Sequence, residues 1–348
     1  QVLECDSWWS GVSLLKSLNV DGCTALEEIL CGDNQLKTLD VSSCKALMYL
    51  NCSNNNLTTL NVNGCFELVN LYCWNNQLTS LDVSGCKKLV EFDCGHNKLS
   101  DIDVSGFQAL QYLDCGGNNI TVLNLSGCVS LDELYCYENK LSELDVSSLT
   151  ELKRLDCSSN DLQALDITHN PKLFVLSCRD NHISELDIRN CPDLETLVYD
   201  DGVKLIALEI NAENFPDDKF REYVRASFDV NSNGILEPAE VKSVTEIDVS
   251  GTYSANGGIT SLKGIEYFTA LQSLNASLNQ LTSLDMTKNT ALQYLNVYEN
   301  QLTSLDVSEN TQLTLLECGD NQLTSLDVSK NTALTILDCR YNQLTTLD

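Results

Sequence analysis

Apolar residues recur along this chain at a fixed spacing, and one pattern of 21 residues accounts for most of its length. In the unit that starts at Leu68, the next apolar positions are Leu71, Cys73 and Leu78, with polar residues between them. An asparagine three residues after the cysteine position returns in phase at Asn34, Asn55, Asn76, Asn97, Asn118, Asn139, Asn160, Asn181, Asn279, Asn300, Asn321 and Asn342. A period in this range predicts a solenoid, in which stacked coils bury one shared apolar face.

Each unit carries one predicted strand and one predicted turn. Leu71 and Cys73 alternate with Asn70, Tyr72 and Trp74, which predicts a short strand that pairs in parallel with its neighbours. We expect the asparagine after the strand to bond backbone groups that the turn leaves unpaired, and stacking to extend these bonds into a ladder. The LxxLxLxxN pattern is that of the leucine-rich repeat. The expected fold is therefore an α/β solenoid, a horseshoe with parallel strands on its concave face.

A helical segment interrupts the repeats after residue 210. Apolar residues change there to helical spacing, at Phe220, Tyr223, Val224 and Phe228. A second short helix is expected from about Pro238 to Val244, because proline suits the first turn of a helix. We divide the chain into a first repeat stack at 1–210, a helix-loop-helix, EF-hand-like cap or linker at 211–245, and a second stack at 246–348.

The loop between the two predicted helices has the spacing of an EF-hand calcium loop, DxNxNGxLxxxE. The expected oxygen ligands come from Asp229, Asn231, Asn233, Ile235 through its carbonyl, Glu237 and Glu240. Only three of these residues carry charge, and the sequence offers no second loop to pair with this one. We therefore expect weak calcium binding, with a dissociation constant of about 10⁻⁴ to 10⁻³ M. The alternative is a vestigial loop kept only as a structural cap.

The 17 cysteines fall into two columns of the repeat rather than into metal-binding motifs. Ten occupy the strand: Cys31, Cys52, Cys73, Cys94, Cys115, Cys136, Cys157, Cys178, Cys318 and Cys339. Six occupy a second column at another turn: Cys23, Cys44, Cys65, Cys86, Cys128 and Cys191. Stacked strand residues lie about 5 Å apart, whereas a disulfide needs about 3.8 Å between Cβ atoms. With no CxxC spacing and three histidines, we expect small buried hydrophobes rather than disulfides, redox centres or zinc ligands.

The formal charge of -29 limits the classes of partner. A chain this acidic repels nucleic acid and anionic membrane surfaces. No apolar run approaches the length of about 18 residues that a membrane span needs, so we expect none. We also expect a monomer. Residues 1–11 are interpreted as an irregular start, with Trp8 and Trp9 covering the open end of the core.

The strands offer a candidate ligand-binding surface, because alternate side chains face away from the core. The candidate residues are Tyr49, Asn70, Tyr72, Trp74, Glu91, Asp93, Tyr112, Asp114, Glu133, Tyr135 and Tyr137. The core does not require aromatic residues at these positions, and exposed aromatics with acidic neighbours suit contacts with protein or sugar. The alternative is that repeat surfaces vary freely and that strands tolerate tyrosine.

No sequence feature favours an enzyme. GxSxG, HExxH and phosphate-loop patterns are missing, and most aspartates repeat in one slot after leucine, as in Asp40, Asp82 and Asp145. Two other classes remain. The chain is interpreted as a binding module that uses its concave face, or as a structural spacer that presents other domains.

The repeat resembles that of bacterial internalin-type leucine-rich repeat proteins, especially those with cysteine in the strand. The units from Leu68 to Cys86 and from Leu313 to Asn331 carry this resemblance, together with Phe215-Pro216-Asp217 and the later Gly258-Ile259-Thr260-Ser261-Leu262. The chain departs from that family in placing its cap between two stacks and in keeping a complete EF-hand loop. The resemblance implies a secreted or surface-displayed protein that binds a protein or glycan, including host-derived ones, in adhesion or host interaction.

Overall fold

The computed structural model describes residues 1–6, 15–253 and 257–347. Spatial contacts group the chain into two units, Gln1–Ile206 and Ala207–Asp348. The helical segment at 211–245 lies within the second of these units. The covering role suggested for Trp8 and Trp9 falls outside the described residues.

The first unit consists of short strands joined by turns. In chain order these are β1 (Val2–Glu4), β2 (Glu28–Leu30), β3 (Thr38–Asp40), β4 (Tyr49–Asn51), β5 (Thr59–Asn61), β6 (Asn70–Tyr72), β7 (Glu91–Asp93), β8 (Ile102–Asp103), β9 (Tyr112–Asp114), β10 (Leu123–Asn124), β11 (Glu133–Tyr135), β12 (Arg154–Asp156), β13 (Val175–Ser177), β14 (Glu185–Asp187), β15 (Thr196–Val198) and β16 (Lys204–Ile206). A ten-stranded parallel sheet has the order β1-β2-β4-β6-β7-β9-β11-β12-β13-β15. Separate parallel pairs join β3 to β5, β8 to β10 and β14 to β16.

The register of the main sheet follows the repeat. Leu50 lies beside Leu71, which in turn lies beside Phe92, so residues one repeat apart are neighbours. These central residues are fully buried, while the residues on either side of each are half-buried. This alternation confirms the predicted strand phase and the parallel solenoid. The strand β1 is an exception to the spacing, because it pairs with β2 from 26 residues away within the segment interpreted as irregular.

The asparagine ladder forms as predicted. The side-chain Nδ2 of Asn55 donates to the carbonyls of Cys31, Cys52 and Ser53 at 3.0 to 3.2 Å. Its Oδ1 accepts the backbone N–H of Leu36 at 2.9 Å. The buried amide of Asn55 thus forms hydrogen bonds with backbone groups of two successive coils. These groups would destabilise the fold if they were buried without a hydrogen-bond partner.

The second column of the repeat also donates to backbone carbonyls. The thiol of Cys65 donates to the carbonyl of Val41 at 3.3 Å. Where asparagine occupies this column, as at Asn310, Nδ2 makes two bonds, to Met286 at 3.0 Å and to Asn289 at 2.9 Å. Thiols of both columns are buried as predicted, except that Cys339 is half-buried and Cys23 is exposed, so the prediction is wrong for these two residues. Every cysteine is a free thiol in the structure.

The second unit begins with a helix-loop-helix and continues as repeats. Its helices are α1 (Asp218–Phe228) and α2 (Pro238–Ser243), with a 3₁₀ turn at Ile265–Tyr267. Its strands are β17 (Leu208–Glu209), β18 (Ile235–Leu236), β19 (Glu246–Asp248), β20 (Ser273–Asn275), β21 (Tyr294–Asn296), β22 (Leu315–Glu317), β23 (Ser325–Leu326), β24 (Ile336–Asp338) and β25 (Thr346–Leu347). A five-stranded parallel sheet joins β19, β20, β21, β22 and β24 in that order, while β17 and β18 pair antiparallel.

The motif Phe215-Pro216-Asp217 has a direct structural role in the second unit. Asp217 caps α1 by accepting the backbone N–H groups of Lys219 and Phe220. Its other oxygen accepts the backbone N–H and hydroxyl of Thr260 at 2.8 and 2.9 Å. Phe215 is fully buried and packs against Gly264, where a Cβ would lie only 2.3 Å from its ring. These contacts tie α1 to the residues that lead into the repeats of the same unit.

Candidate functional site

The predicted ligand-binding residues share one surface of the first unit. We call it the strand face, meaning the side chains of the ten-stranded sheet and of the residue two positions after each strand that point away from the core. All eleven predicted residues lie on it and are half-buried: Tyr49, Asn70, Tyr72, Trp74, Glu91, Asp93, Tyr112, Asp114, Glu133, Tyr135 and Tyr137. Their inward neighbours Leu71, Cys73 and Leu113 are fully buried, so these outward side chains are not part of the core. Ligand binding by them stays a prediction.

Tyrosine rings of neighbouring coils pack against each other at tilted angles on the strand face. The ring centroids of Tyr49 and Tyr72 lie 5.5 Å apart, and those of Tyr112 and Tyr135 lie 5.6 Å apart. These are distances at which aromatic pairs attract one another. The rings therefore form short preorganised platforms, and little side-chain freedom remains to be lost when a ligand settles on them.

Carboxylates accept hydrogen bonds from the hydroxyls of two tyrosines on the strand face. Tyr72 donates to Glu91, and Tyr135 donates to Glu133 at 3.0 Å. Burial and the hydrogen bond to Glu133 raise the pKa of Tyr135 to about 12, and burial with the Glu91 bond raises the pKa of Tyr72 further. The hydroxyls consequently stay protonated at neutral pH and keep donating. Glu133 also faces Arg154, with 3.6 Å between Oε1 and Nε.

Two aspartates occupy adjacent positions of this surface, and the basic residue that acts on one of them, Asp114, is His96, whose charge lowers the pKa of Asp114. Asp93 and Asp114 are paired in the register of β7 and β9. Each accepts one backbone N–H, from Gly95 at 3.0 Å and from Gly116 at 2.8 Å. Burial and the charge of Asp114 raise the pKa of Asp93 to about 7, and burial also raises the pKa of Asp114. Among the described residues, no lysine or arginine forms an ion pair with either carboxylate.

The sequence prediction missed Gly95, His96 and Gly116, which lie beside these aspartates. The residue after the strand cysteine is Trp74 or Tyr137 in two coils, but it is Gly95 and Gly116 in the two coils between them. The ring of Tyr137 lies so close over Gly116 that a Cβ there would sit 2.5 Å from it. The Tyr137 hydroxyl also lies 3.2 Å from Nε2 of His96. The signal available in the sequence was glycine at this position in two consecutive coils, between coils that have Trp74 and Tyr137 there.

The predicted calcium loop folds around its own hydrogen bonds. Asp229 is buried and accepts the backbone N–H groups of Asn233 and Gly234 at 3.0 Å. The side-chain amides of Asn231 and Asn233 donate to Glu237 at 3.0 and 2.7 Å. The predicted ligands are therefore neighbours, although these amides present nitrogen rather than oxygen to the carboxylate.

Glu237 and Glu240 interact within this loop. Burial and a hydrogen bond with Glu237 raise the pKa of Glu240 to about 7. Burial opposes ionisation of Glu237, but bonds from Glu240 and the two asparagine amides lower the pKa of Glu237. Of the two carboxyl groups, that of Glu240 therefore keeps its proton to the higher pH. Across the described parts of the chain, no three His, Cys, Asp or Glu side chains already converge on a point that could hold a metal ion. The donor set suits calcium chemically, but binding requires the loop to exchange some of its hydrogen bonds.

The stacked parallel strands and the asparagine ladder define a leucine-rich repeat solenoid. Residues 67–107 match the family model described as leucine-rich repeats, two copies. Internalin J of Listeria monocytogenes serotype 4b (strain F2365) is 32% identical over 76 residues, which cover 22% of this chain and 8% of that protein. Within residues 1–6, 15–253 and 257–347, no helix is long and apolar enough to cross a membrane.

Solved structures extend the likeness over nearly the whole chain. The functional domain of InlJ from Listeria monocytogenes, described as including a cysteine ladder, is 31% identical with a TM-score of 0.55. That match covers 97% of this chain and 62% of the other. A leucine-rich repeat protein of Leptospira interrogans is 22% identical with a TM-score of 0.49, over 92% of this chain and 79% of its own. The chain is a leucine-rich repeat solenoid that is similar to proteins of the internalin type.

Proposed function

We propose that this chain is a binding protein whose strand face in the first unit takes a protein or glycan ligand. Leucine-rich repeat proteins of this type generally bind proteins through such extended surfaces and are typically non-enzymatic. The observation that carries the proposal is the array of half-buried tyrosines and carboxylates on the strand face. The core does not use these side chains, and their rings and hydroxyls are held in place before any ligand arrives.

Aromatic side chains of this kind supply much of the energy of many protein interfaces. We therefore expect Tyr72, Trp74, Tyr135 and Tyr137 to contribute most to binding. The alternative function is a structural spacer that presents other domains. A spacer would need the stacked core but none of these four side chains.

The test uses labelled protein on an array of glycans and an array of extracellular proteins. A variant with Tyr72→Ala, Trp74→Ala, Tyr135→Ala and Tyr137→Ala should lose at least tenfold in affinity for each ligand found. The matched control is Phe66→Ala, Val122→Ala and Val129→Ala, which removes exposed apolar side chains that do not belong to the strand face. Circular dichroism should show that both variants fold. Ligands that the first variant still binds, or a complete lack of ligands, would favour the spacer.

We also propose that the protein is secreted or displayed on the bacterial surface, where it acts as a monomer in adhesion or host interaction. The likeness to internalin J supports this location. Brief protease treatment of intact source cells should release peptides of this chain, and light scattering of the purified protein should give the mass of one chain. Peptides released only after lysis, or a dimer mass, would contradict these two proposals respectively.

We further propose that calcium binds between Asp229 and Glu240. Support comes from the spacing of the loop and from the hydrogen bonds that hold Asn231, Asn233 and Glu240 around Glu237, because a cation there would satisfy both carboxylates. The residues that would hold the ion are Asp229, Asn231, Asn233, Ile235 through its carbonyl, Glu237 and Glu240. Since the asparagine amides must turn their oxygens inward, the affinity should be weak, with a dissociation constant of about 10⁻⁴ to 10⁻³ M.

Calorimetric titration and melting temperature test the calcium proposal. Several millimolar calcium should raise the melting temperature, because an ion that binds only the folded state stabilises it. Glu240→Gln should abolish both the heat and the shift, whereas Glu213→Gln, an exposed change of equal charge outside the loop, should leave them intact. No heat and no shift in the unchanged protein would leave the helix-loop-helix as a purely structural cap.

A further inference from the structure

Apolar side chains lie next to each other on the outward side of the second unit's five-stranded sheet. The first residues of its strands are Glu246, Ser273, Tyr294, Leu315 and Ile336. In the parallel register, Tyr294 lies beside Leu315, and Leu315 lies beside Ile336. Leu315 is half-buried, and Ile336 is 53% exposed. We call Tyr294, Leu315 and Ile336 the apolar stripe.

The core of the second unit does not account for the apolar stripe. The residues that follow two of its members, Leu295 and Leu316, are fully buried, so the core positions are filled separately. Leu315 has a paired strand on each side, so its exposure does not come from an open edge of the sheet. In the first unit, the aliphatic residues at this strand position are Val2 and Val175, which are not adjacent. Contiguous apolar side chains at a surface mark interaction sites, whereas single ones do not.

Threonines border the stripe on the side where the strands begin. The hydroxyl of Thr314 donates to the carbonyl of Gln293 at 3.0 Å, and that of Thr335 donates to the carbonyl of Thr314 at 2.9 Å. These hydroxyl protons are used within the fold. A ligand on this side of the stripe therefore meets no free hydroxyl donor from either threonine.

On its other side, the stripe is bordered by carboxylates. The third residues of the five strands also point outward, and they are Asp248, Asn275, Asn296, Glu317 and Asp338. Asp338 is paired with Arg340 at 2.7 Å, while Glu317 accepts the hydroxyl of Tyr294 at 3.3 Å. No lysine or arginine occupies an outward position of these five strands, all of which lie in the described part of the chain. The complementary partner thus has basic residues beside its apolar ones.

We propose that the apolar stripe binds an extended segment of a protein partner, in which two aliphatic side chains face the sheet and lysines flank them. Neighbouring strands lie about 4.8 Å apart, so the stripe is about 10 Å long, while alternate side chains of an extended segment lie about 7 Å apart. Two such side chains therefore fit along the stripe. A second copy of this chain is a poor occupant, because two chains with a formal charge of -29 repel each other. This site belongs to the second unit and does not depend on the strand face of the first.

The experiment uses the synthetic peptide N-acetyl-Lys-Leu-Ser-Leu-Lys-amide as its probe. The peptide is titrated into the full chain labelled with ¹³C at the methyl groups of leucine and isoleucine. The methyl signals of Leu315 and Ile336 should shift in nuclear magnetic resonance spectra. Serine in place of both leucines of the peptide should weaken binding at least tenfold, because the apolar contact is lost. Glutamate in place of both lysines should also weaken binding at least tenfold.

Variants with matched controls separate the stripe from general attraction to an acidic protein. Leu315→Ser with Ile336→Ser should weaken binding at least tenfold, measured by fluorescence anisotropy of a dye-labelled peptide. Val122→Ser with Val129→Ser makes the same kind of change at exposed positions outside the strands and should alter binding less than twofold. Leu315→Val with Ile336→Val keeps an aliphatic stripe of residues that suit strands, so binding should stay within threefold.

A charge variant tests the acidic border. Glu317→Gln should weaken peptide binding at least twofold, because the carboxylate beside the stripe loses its charge. Glu309→Gln makes the same change at an exposed turn of the same unit and should leave binding unchanged. Equal effects of these two variants, or equal binding of the glutamate peptide, would overturn the basic flank.

No shift at Leu315 and Ile336, equal binding of the serine peptide, or equal weakening by the two pairs of serine variants would overturn the proposal. A dimer that dissociates in the Leu315→Ser, Ile336→Ser variant would assign the stripe to a second copy of the chain instead. The four-residue variant of the first unit's strand face should bind the peptide like the unchanged protein. Failure here is therefore distinct from failure of the function proposed for the first unit.

Discussion

The two units stack the same repeat but fill its second column differently. In the first unit that column is mostly cysteine, whose thiol makes long bonds to the preceding coil, one from Cys65 to Val41 and two from Cys191 to Ile167 and Asn170. In the second unit it is asparagine, and Asn310 makes two bonds of 2.9 and 3.0 Å. All but two of the 17 cysteines lie in the first unit. The second unit instead places Ala276 and Val297, both fully buried, where the first has strand cysteines.

The ladder asparagine, by contrast, makes the same bonds in both units. Asn300 accepts from Leu281 and donates to the carbonyls of Ala276, Val297 and Tyr298, matching the pattern of Asn55. The turn after each strand therefore depends on an amide that accepts and donates at once, which a thiol cannot replace. The second column needs no acceptor, so cysteine and asparagine both serve there, and the buried side chains of Phe107 and Leu149 fill it in two coils without any donor.

The largest expected effect comes from removing that amide in either unit. Asn55→Ala and Asn300→Ala should each reduce the free energy of unfolding by about 3 kcal/mol, because several buried backbone groups lose their partners together. Hydrogen exchange read separately in the two units measures this loss. The exposed neighbours provide controls, Asn56→Ala and Gln301→Ala, which should change stability by less than about 0.5 kcal/mol. A loss confined to one unit would show that the ladder is not equivalent in the two.

The second column should show a smaller effect that differs between the units. Asn310→Ala should destabilise the second unit by about 2 kcal/mol, because two carbonyls lose short hydrogen bonds. Cys65→Ala should destabilise the first unit by about 1 kcal/mol, since it removes one weak thiol bond and little volume. Urea unfolding with exchange data for each unit gives both values. Equal losses would mean that packing, rather than donor number, sets the role of this column.

The repeat fold could be predicted from the sequence because its information is local and repeated. The alternation around Leu71 and Cys73 fixes which side chains face inward, and one correct phase assignment applies to every coil. The strand Val2–Glu4 could not be found this way, since its spacing to Glu28–Leu30 departs from the repeat. Nor did the pattern indicate that Cys23, in the right column but near the end of the first unit, would be exposed.

The candidate site was less predictable, because it depends on contacts between coils rather than on periodicity. The sequence placed Asp93 and Tyr137 on the outward face, but not the approach of Tyr137 to Gly116 and His96. Likewise, the EF-hand spacing indicated the loop ligands, whereas the raised pKa of Glu240 depends on how the loop closes around it and Glu237. Side-chain direction and burial decide both features, and neither follows from residue type alone.

The paired aspartates of the first unit should make its stability depend on pH. The folded-state pKa of Asp93, about 7, lies above the usual value for an unfolded aspartate, about 3.9. Protonation of Asp93 therefore favours the folded state. This stabilisation is complete below about pH 4 and is lost as the pH rises through about 7. Asp93→Asn should therefore stabilise the first unit at pH 8 by about 1 kcal/mol, since water screens part of the repulsion, and by little at pH 4.

The second unit offers the reverse substitution as a control for this pH effect. It has Asn275 and Asn296 at the equivalent adjacent positions, and Asn296 accepts a backbone N–H just as Asp93 does. Asn296→Asp, which then lies beside Glu317, should destabilise the second unit at pH 8 and have little effect at pH 4. Thermal unfolding across this pH range tests both variants. Stability of Asp93→Asn that follows the unchanged protein at every pH would contradict the assigned repulsion.

The smallest expected effect lies in the turn, where the two units should again agree. The residue before the ladder asparagine has a left-handed backbone in nearly every coil, including Glu138 with φ 50° and Glu299 with φ 54°. A residue other than glycine is strained in this conformation by about 1 kcal/mol. Substitution by glycine relieves the strain, but glycine also gives the unfolded chain more freedom, which cancels part of the gain in stability. Glu138→Gly and Glu299→Gly should therefore each stabilise by about 0.5 kcal/mol, raising the urea midpoint slightly. Glu138→Gln and Glu299→Gln change only the charge. If glutamine stabilises as much as glycine, relief of negative charge rather than of backbone strain explains the gain.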